Sequence, residues 1–287
     1  MNNKKNLTVK EAFNLAVQNH QEDKIDIAQE LYNQVLKIDP NHSLALNNIG
    51  IIFKDLGEYQ KAKDCYEKAI EINPSYADAH NNLGIIFKDL GENQKAKDCY
   101  EKAIAINPGY ADAHNNLGIL FKELKENEKA KDCYEKAIAI NPTYADAHYN
   151  LGILFKELKE NEKAKDCYEK AIAINPNFAD AHNNLGVIFG NLGEHQKAKD
   201  CYERAIEINP GYAAAHHNLG ATFINLGEIQ KAKSSYEKAI KIDPLNKVSQ
   251  VAYGKILLGL NDKLKGYEYI KKGEGVIKFT PSYYKII

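Results

Sequence analysis

The stretch ADAHNNLGIIFKDLGENQKAKDCYEKAIAINPGY, residues 77–110, decides how this chain of 287 residues is organised. Copies of it, close or divergent, occupy residues 9–42, 43–76, 111–144, 145–178, 179–212 and 213–246. The repeat length is 34 residues, and a proline stands at the same place in each copy: Pro40, Pro74, Pro108, Pro142, Pro176, Pro210 and Pro244. A fixed period of this size indicates a stacked repeat protein.

Each copy predicts two helices. Apolar residues recur at helical spacing over residues 80–90, and Gly91 then ends the first helix in a left-handed conformation. The second helix covers residues 95–106 and stops at Asn107, because the residue before a proline is pushed out of the helical region. We count places 1 to 34 from the first residue of each copy, so that Ala77 is at place 1.

Small residues recur where the two helices of a repeat must approach closely. Place 8 is Gly84, places 20 and 27 are Ala96 and Ala103, and place 32 is Pro108. This pattern resembles the tetratricopeptide repeat (TPR) family over residues 9–246, although place 4 departs from the family's large aromatic and is usually histidine. The resemblance implies an all-α fold: a right-handed α-α superhelix (TPR solenoid) of antiparallel helix pairs, with the first helices lining the concave groove.

The repeats define the expected domain organisation. Residues 1–8 are an N-terminal arm, and Thr8 with Glu11 forms a capping box that opens the first repeat. Seven repeats then cover residues 9–246. Residues 247–272 read as a degenerate eighth repeat with capping helices. An apolar tail, 273–287, is either a lid over the last helix pair or a docking motif, and could support weak self-association of an otherwise monomeric protein.

Two further local expectations concern single places. Ser75, Thr143 and Asn177 stand three residues before an aspartate and are expected to cap the next first helix. Lys125 and Lys159 replace the helix-ending glycine, so we expect a slightly altered turn at these two places.

Composition excludes several function classes. The net charge is −1 with 27% charged residues, so no broad attraction to nucleic acid or membrane is expected. No stretch resembles a signal peptide or a membrane span, which favours a cytoplasmic protein. Cysteine recurs at one place in repeats two to six, and histidine at place 4 in repeats three to seven. Successive repeats are about 8–10 Å apart, too far for disulfides or a metal site. We therefore expect reduced cysteines, no metal and no cofactor.

Place 6 is asparagine in every repeat: Asn14, Asn48, Asn82, Asn116, Asn150, Asn184 and Asn218. A carboxamide offers donors and an acceptor together, so a row of them can pair with the N–H and C=O groups of an extended peptide. Alternatively, each asparagine ties its own helix to a neighbouring repeat. The row resembles the asparagine ladder in the TPR superhelix of O-linked N-acetylglucosaminyl transferase, and this resemblance favours the peptide-binding role.

Two more places complete the predicted peptide-binding groove. Place 5 adds further polar or aromatic side chains: Asn47, Asn81, Asn115, Tyr149, Asn183 and His217. Place 9 adds an apolar stripe: Ile51, Ile85, Ile119, Ile153 and Val187. Repeats six and seven lack the Lys-acid pairs of the earlier repeats, so that end of the groove should be less charged.

The sequence favours a non-enzymatic scaffold whose partners are proteins or peptide segments. A substrate-recruiting or regulatory TPR arm for a separate enzyme, such as a glycosyltransferase, is the alternative. An enzyme is disfavoured because no phosphate loop, nucleophile constellation or paired carboxylates stand outside the repeats. Binding of single-stranded RNA, one base per repeat, is disfavoured by the balanced charge.

Overall fold

The computed structural model describes residues 7–274, which form sixteen α-helices and no strand. The chain divides into two compact units, Met1–Pro142 and Thr143–Ile287. The first unit contains α1 (Val9–Gln21), α2 (Ile25–Ile38), α3 (Ser43–Asp55), α4 (Tyr59–Ile72), α5 (Ala77–Asp89), α6 (Asn93–Ile106), α7 (Ala111–Glu123) and α8 (Asn127–Ile140). The second contains α9 (Ala145–Glu157), α10 (Asn161–Ile174), α11 (Ala179–Asn191), α12 (His195–Ile208), α13 (Ala213–Asn225), α14 (Ile229–Ile242), α15 (Lys247–Gly259) and α16 (Lys263–Glu274).

Within each unit, the two helices of a repeat pack together and the second helix packs on the first helix of the next repeat. This confirms the predicted all-α class built from helix pairs. No helix among residues 7–274 is long and apolar enough to cross a membrane. Most of the predicted arm and all of the predicted tail after Glu274 lie outside the described residues.

The glycine at place 8 sets the distance between the helices of a repeat. A Cβ on Gly84 would lie 2.6 Å from Cε1 of Tyr100, the fully buried tyrosine at place 24. The same contact recurs in the second unit, where a Cβ on Gly186 would lie 2.7 Å from Tyr202 Cε1. The ring therefore lies directly on the backbone of the first helix, and place 8 has no room for a side chain.

The turn inside each repeat keeps one backbone geometry whatever residue occupies it. Gly91 has φ +75°, and Lys125 and Lys159 have φ +64° and +63°. The expectation of an altered turn at the lysines was wrong. After α7, Lys125 N donates to Lys122 O at 3.0 Å and Glu126 N donates to Phe121 O at 2.8 Å. These two bonds require a left-handed residue at place 15, so the backbone retains the conformation despite the side chain.

Replacing Lys125 by glycine is expected to stabilise the chain by about 1 kcal/mol, because a side chain in the left-handed region costs about that much. Chemical denaturation followed by circular dichroism measures the change. Lys125→Ala is the matched control and should give no comparable gain, since alanine retains the Cβ. Equal stabilisation by alanine and glycine would contradict the conformational explanation.

The helix starts confirm one predicted cap and overturn three. Thr8 and Glu11 form the predicted capping box, with Glu11 N donating to Thr8 Oγ1 at 3.2 Å. Three helices, α5, α9 and α11, begin one residue later than predicted. Their N-caps make no side-chain capping bond: Tyr76, Tyr144 and Phe178, after Ser75, Thr143 and Asn177. The asparagine before each proline offers a competing acceptor, since Asn73 Oδ1 accepts from Ser75 N at 3.2 Å.

Candidate peptide-binding face

The asparagines at place 6 tie consecutive repeats together. Asn82 Nδ2 donates to Asn47 Oδ1, at place 5 of the preceding repeat, at 3.0 Å. The same 3.0 Å bond joins two further pairs, Asn116 to Asn81 and Asn218 to Asn183. The accepting side chains at place 5 are buried, and Asn47 is only 3% exposed. Both residues of each pair thus stabilise the contact between neighbouring repeats.

The partner of the place 6 amide changes with the residue at place 5. Phe13 offers no acceptor at place 5 of repeat one, and Asn48 Nδ2 donates instead to the hydroxyl of Tyr32 at 3.1 Å. At place 5 of repeat five, the Tyr149 hydroxyl accepts from Asn184 Nδ2 at 3.0 Å. The inter-repeat bond is therefore retained even where its acceptor is replaced.

One polar atom of the place 6 side chain remains available in three repeats. The Oδ1 atoms of Asn82, Asn116 and Asn218 accept no hydrogen bond from the described residues, and these side chains are half-buried. Asn184 differs, because its Oδ1 accepts from Lys156 Nζ at 3.1 Å. A carboxamide has two donor hydrogens and an acceptor oxygen, so the bond to place 5 fixes the direction of an unused acceptor.

The predicted site residues divide into a surface layer and a buried layer. The apolar residues of place 9 are half-buried beside the amides: Ile51, Ile85, Ile119, Ile153 and Val187. Asn14 is exposed, and Asn48 and Asn150 are half-buried. At place 5, Tyr149 and His217 are half-buried, whereas the asparagines are buried: Asn47, Asn81, Asn115 and Asn183. Direct contact with a ligand is therefore expected from places 6 and 9 rather than from the place 5 asparagines.

Charges on the same helices are paired. Lys88 Nζ lies 3.3 Å from Asp89 Oδ1 and 3.8 Å from Glu123 Oε1 in the next repeat. Lys54 similarly lies 3.2 Å from Asp55. Because each lysine has an acidic neighbour, this part of the face presents amide and apolar groups between neutralised charges.

The histidines at place 4 have a structural contact that the sequence did not reveal. His80 Nε2 lies 3.1 Å from the carbonyl oxygen of Pro74, six residues earlier. Equivalent bonds of 3.1–3.2 Å join other pairs: His114 to Pro108, His182 to Pro176, and His216 to Pro210. In α15 the same bond comes from Gln250, whose Nε2 donates to Pro244 O at 2.6 Å. The shared six-residue spacing of histidine and proline was the available signal.

Burial lowers the pKa of His80, His182 and His216, and a nearby lysine or arginine lowers it further, while the bond to the proline carbonyl raises it in part. The folded chain thus favours neutral histidine. Stability from these groups is present above about pH 6.5 and is lost as the pH falls through the lowered folded pKa, because the unfolded chain binds more protons there.

The triple variant His80→Gln, His182→Gln and His216→Gln should therefore show a flatter dependence of unfolding free energy on pH between 7 and 5. Glutamine keeps the bond to the carbonyl, as Gln250 does, but does not titrate. Denaturation midpoints at several pH values measure the slope. An unchanged slope would show that these histidines do not contribute to the acid sensitivity.

A class of protein follows from this geometry: a helical repeat protein whose repeats are joined through asparagines. A model of the tetratricopeptide repeat matches residues 43–76, 77–110, 111–144, 145–178, 179–212 and 213–246. The chain belongs to the tetratricopeptide repeat family, whose fold serves as a protein-interaction scaffold. A search of curated proteins gives no match.

Solved structures share the fold. YrrB, described as a TPR protein with an unusual peptide-binding site, is 27% identical, with a TM-score of 0.53 over 64% of this chain and 95% of that protein. MamA is 28% identical, with a TM-score of 0.52 over 56% of this chain and 95% of that chain. Pseudomonas aeruginosa pilF is 23% identical, with a TM-score of 0.68 over 76% of this chain and 97% of that chain.

Proposed function

We propose that this protein is a non-enzymatic scaffold that binds extended peptide segments of partner proteins along the faces that places 6 and 9 form within each compact unit. The observation that carries the proposal is the unused Oδ1 atom of Asn82, Asn116 and Asn218, held in one direction by the bond to the preceding repeat. An acceptor that is already oriented loses little conformational freedom when it binds a peptide N–H.

The neighbouring residues favour a peptide over other ligands. Place 9 gives apolar contact beside each amide, and backbone hydrogen bonds combined with side-chain pockets are the usual means of holding an extended chain. Paired lysines such as Lys88 leave little unbalanced charge to attract a nucleic acid phosphate. The likeness to YrrB, described as having a peptide-binding site, supports the same class of ligand.

The test separates ligand binding from the inter-repeat bond. Peptides of 12 residues are selected from a random library on the full chain, and the tightest is synthesised with fluorescein for anisotropy measurements. Asn82→Ala with Asn116→Ala removes both the inter-repeat bonds and the unused acceptors. Asn47→Ala with Asn81→Ala is the matched control, because it breaks the same bonds, and the 3.3 Å bond from Asn47 Nδ2 to Asn48 Oδ1, but keeps the acceptors.

We expect about tenfold weaker binding for the place 6 variant and a change below about threefold for the place 5 variant. Circular dichroism monitors the fold of both. Equal affinities of the two variants would show that the asparagines only join repeats, and a selection that recovers no peptide would overturn the proposed function.

A further inference from the structure

The residue at place 12 differs in repeat six from that in the other repeats. It is lysine in four repeats and isoleucine in repeat seven, but glycine in α11: Lys54, Lys88, Lys122, Lys156, Gly190 and Ile224. Gly190 is not among the glycines with positive φ, so its backbone conformation does not require glycine. A glycine within a helix costs up to about 1 kcal/mol relative to alanine, which makes its presence here unfavourable for folding alone.

The space above Gly190 is bounded by an unpartnered hydroxyl. A Cβ built on Gly190 would lie 3.9 Å from Tyr202 Oη, and no other atom outside the helix backbone lies within 4 Å of it. Tyr202 is 4% exposed, and its hydroxyl has no hydrogen-bond partner among residues 7–274. The equivalent hydroxyls of Tyr66 and Tyr168 also lack a partner, but they are fully buried.

Repeats with lysine at place 12 close the equivalent position. The place 8 glycine meets the tyrosine ring at 2.6 Å in repeat three and 2.7 Å in repeat six, so the two helices pack alike in both repeats. The Lys88 stem therefore starts at the place that is open in repeat six, and its Nζ extends to Asp89 and Glu123. Tyr100 is 0% exposed and its hydroxyl is fully buried without a partner. The change from lysine to glycine thus opens the Tyr202 hydroxyl to the face that carries places 6 and 9.

The surroundings of Gly190 determine which ligand group would fit. Asn191 replaces the acidic residue of place 13, and Val187 provides an apolar wall at place 9. Asn184 cannot accept a further bond as readily as its equivalents, because Lys156 already donates to its Oδ1. Tyr202 is therefore the polar group that this repeat offers, and a phenol can both donate and accept.

We infer that Gly190 and Tyr202 form a subsite that admits one neutral amide side chain, asparagine or glutamine, of a bound peptide. The apolar stem fills the volume that a lysine occupies in other repeats, and the carboxamide bonds to the Tyr202 hydroxyl. This inference rests on the proposed function, and assigns to it one side-chain preference at one repeat.

Gly190→Lys tests the subsite without risk to the fold. Lysine is the residue of four other repeats at this place and a better helix former than glycine, so the variant should be at least as stable as the wild type. Binding of the fluorescein-labelled peptide selected on the wild-type chain is expected to weaken at least about tenfold. A loss of binding together with equal or greater stability cannot be attributed to unfolding.

Tyr202→Phe removes the hydroxyl alone and should weaken the same peptide about threefold to tenfold, the range of one hydrogen bond. Tyr100→Phe, which removes the covered hydroxyl at the equivalent place, is the matched control and should leave binding unchanged. Peptides selected on the wild type should share an asparagine or glutamine that is absent from peptides selected on Gly190→Lys.

The outcomes are distinguishable. If Asn218→Ala, the place 6 variant in the same compact unit, loses the peptide while Gly190→Lys or Tyr202→Phe binds it normally, the subsite is overturned and the peptide-binding function stands. If the library yields no peptide for the wild-type chain, the function and the subsite fall together.

Discussion

Gly84→Val is expected to destabilise the protein by about 3 kcal/mol. A Cβ at this position would lie 2.6 Å from Cε1 and 2.8 Å from Cδ1 of Tyr100, which is well inside van der Waals contact. The ring is fully buried, so it cannot move aside into solvent. Valine adds two methyl groups beyond the Cβ, so the two helices of the repeat must separate or the ring must leave its rotamer.

Chemical denaturation of Gly84→Val and the wild type measures this cost. Gly109→Thr is the control, because a Cβ there meets only Asn107 Oδ1 at 3.5 Å and Thr143 is the natural residue at the same place. Gly84→Val should cost much less in a Tyr100→Ala background than in the wild type, since the clash is then absent. A valine variant as stable as the wild type would refute the close contact of ring and backbone.

Asn82→Ala is expected to cost about 2 kcal/mol of unfolding free energy, because it leaves the Oδ1 of Asn47 without a donor. Asn47 is only 3% exposed, so water cannot readily replace the lost amide. Asn47→Ala should cost less, about 1 kcal/mol, since its two partners, Asn82 and Asn48, are half-buried and can bond to solvent.

The double variant Asn47→Ala with Asn82→Ala completes the cycle and should cost less than the sum of the single variants. The junction of repeat seven with α15 has neither amide, because place 5 of repeat seven is His217 and place 6 of α15 is Ala252. Thermal and chemical denaturation report all three changes. Costs of Asn82→Ala below a few tenths of a kcal/mol would show that the pair contributes little.

Much of the fold could be predicted because its signals are local. Pro108 fixes where a second helix ends, Gly91 fixes the turn, and the glycine at place 8 requires a close neighbour across the repeat. The failed predictions concern competition between local acceptors. Serine is a common helix cap, but the backbone N–H of Ser75 donates to Asn73 Oδ1, and the helix begins after Tyr76.

The candidate site was less accessible to sequence reasoning because its contacts cross between helices. The sequence allowed Asn82 to serve a peptide or a neighbouring repeat, and the distance to Asn47 was needed to assign its donor. His80 departs from the family's large aromatic at place 4, and its bond to Pro74 depends on how the loop folds back. The sequence shows that Gly190 replaces the lysine of earlier repeats, but its proximity to Tyr202 follows only from the packing of α11 on α12.

The near identity of the repeats has a consequence for recognition. Places 6, 9 and 12 read Asn, Ile and Lys in three consecutive repeats of residues 43–142. A ligand that spans two of these repeats therefore has two equivalent registers, a statistical gain of about 0.4 kcal/mol, and can shift by one repeat without a change in contact energy. Identical repeats thus allow a ligand to bind in several alignments, whereas a residue that differs between repeats would favour one alignment.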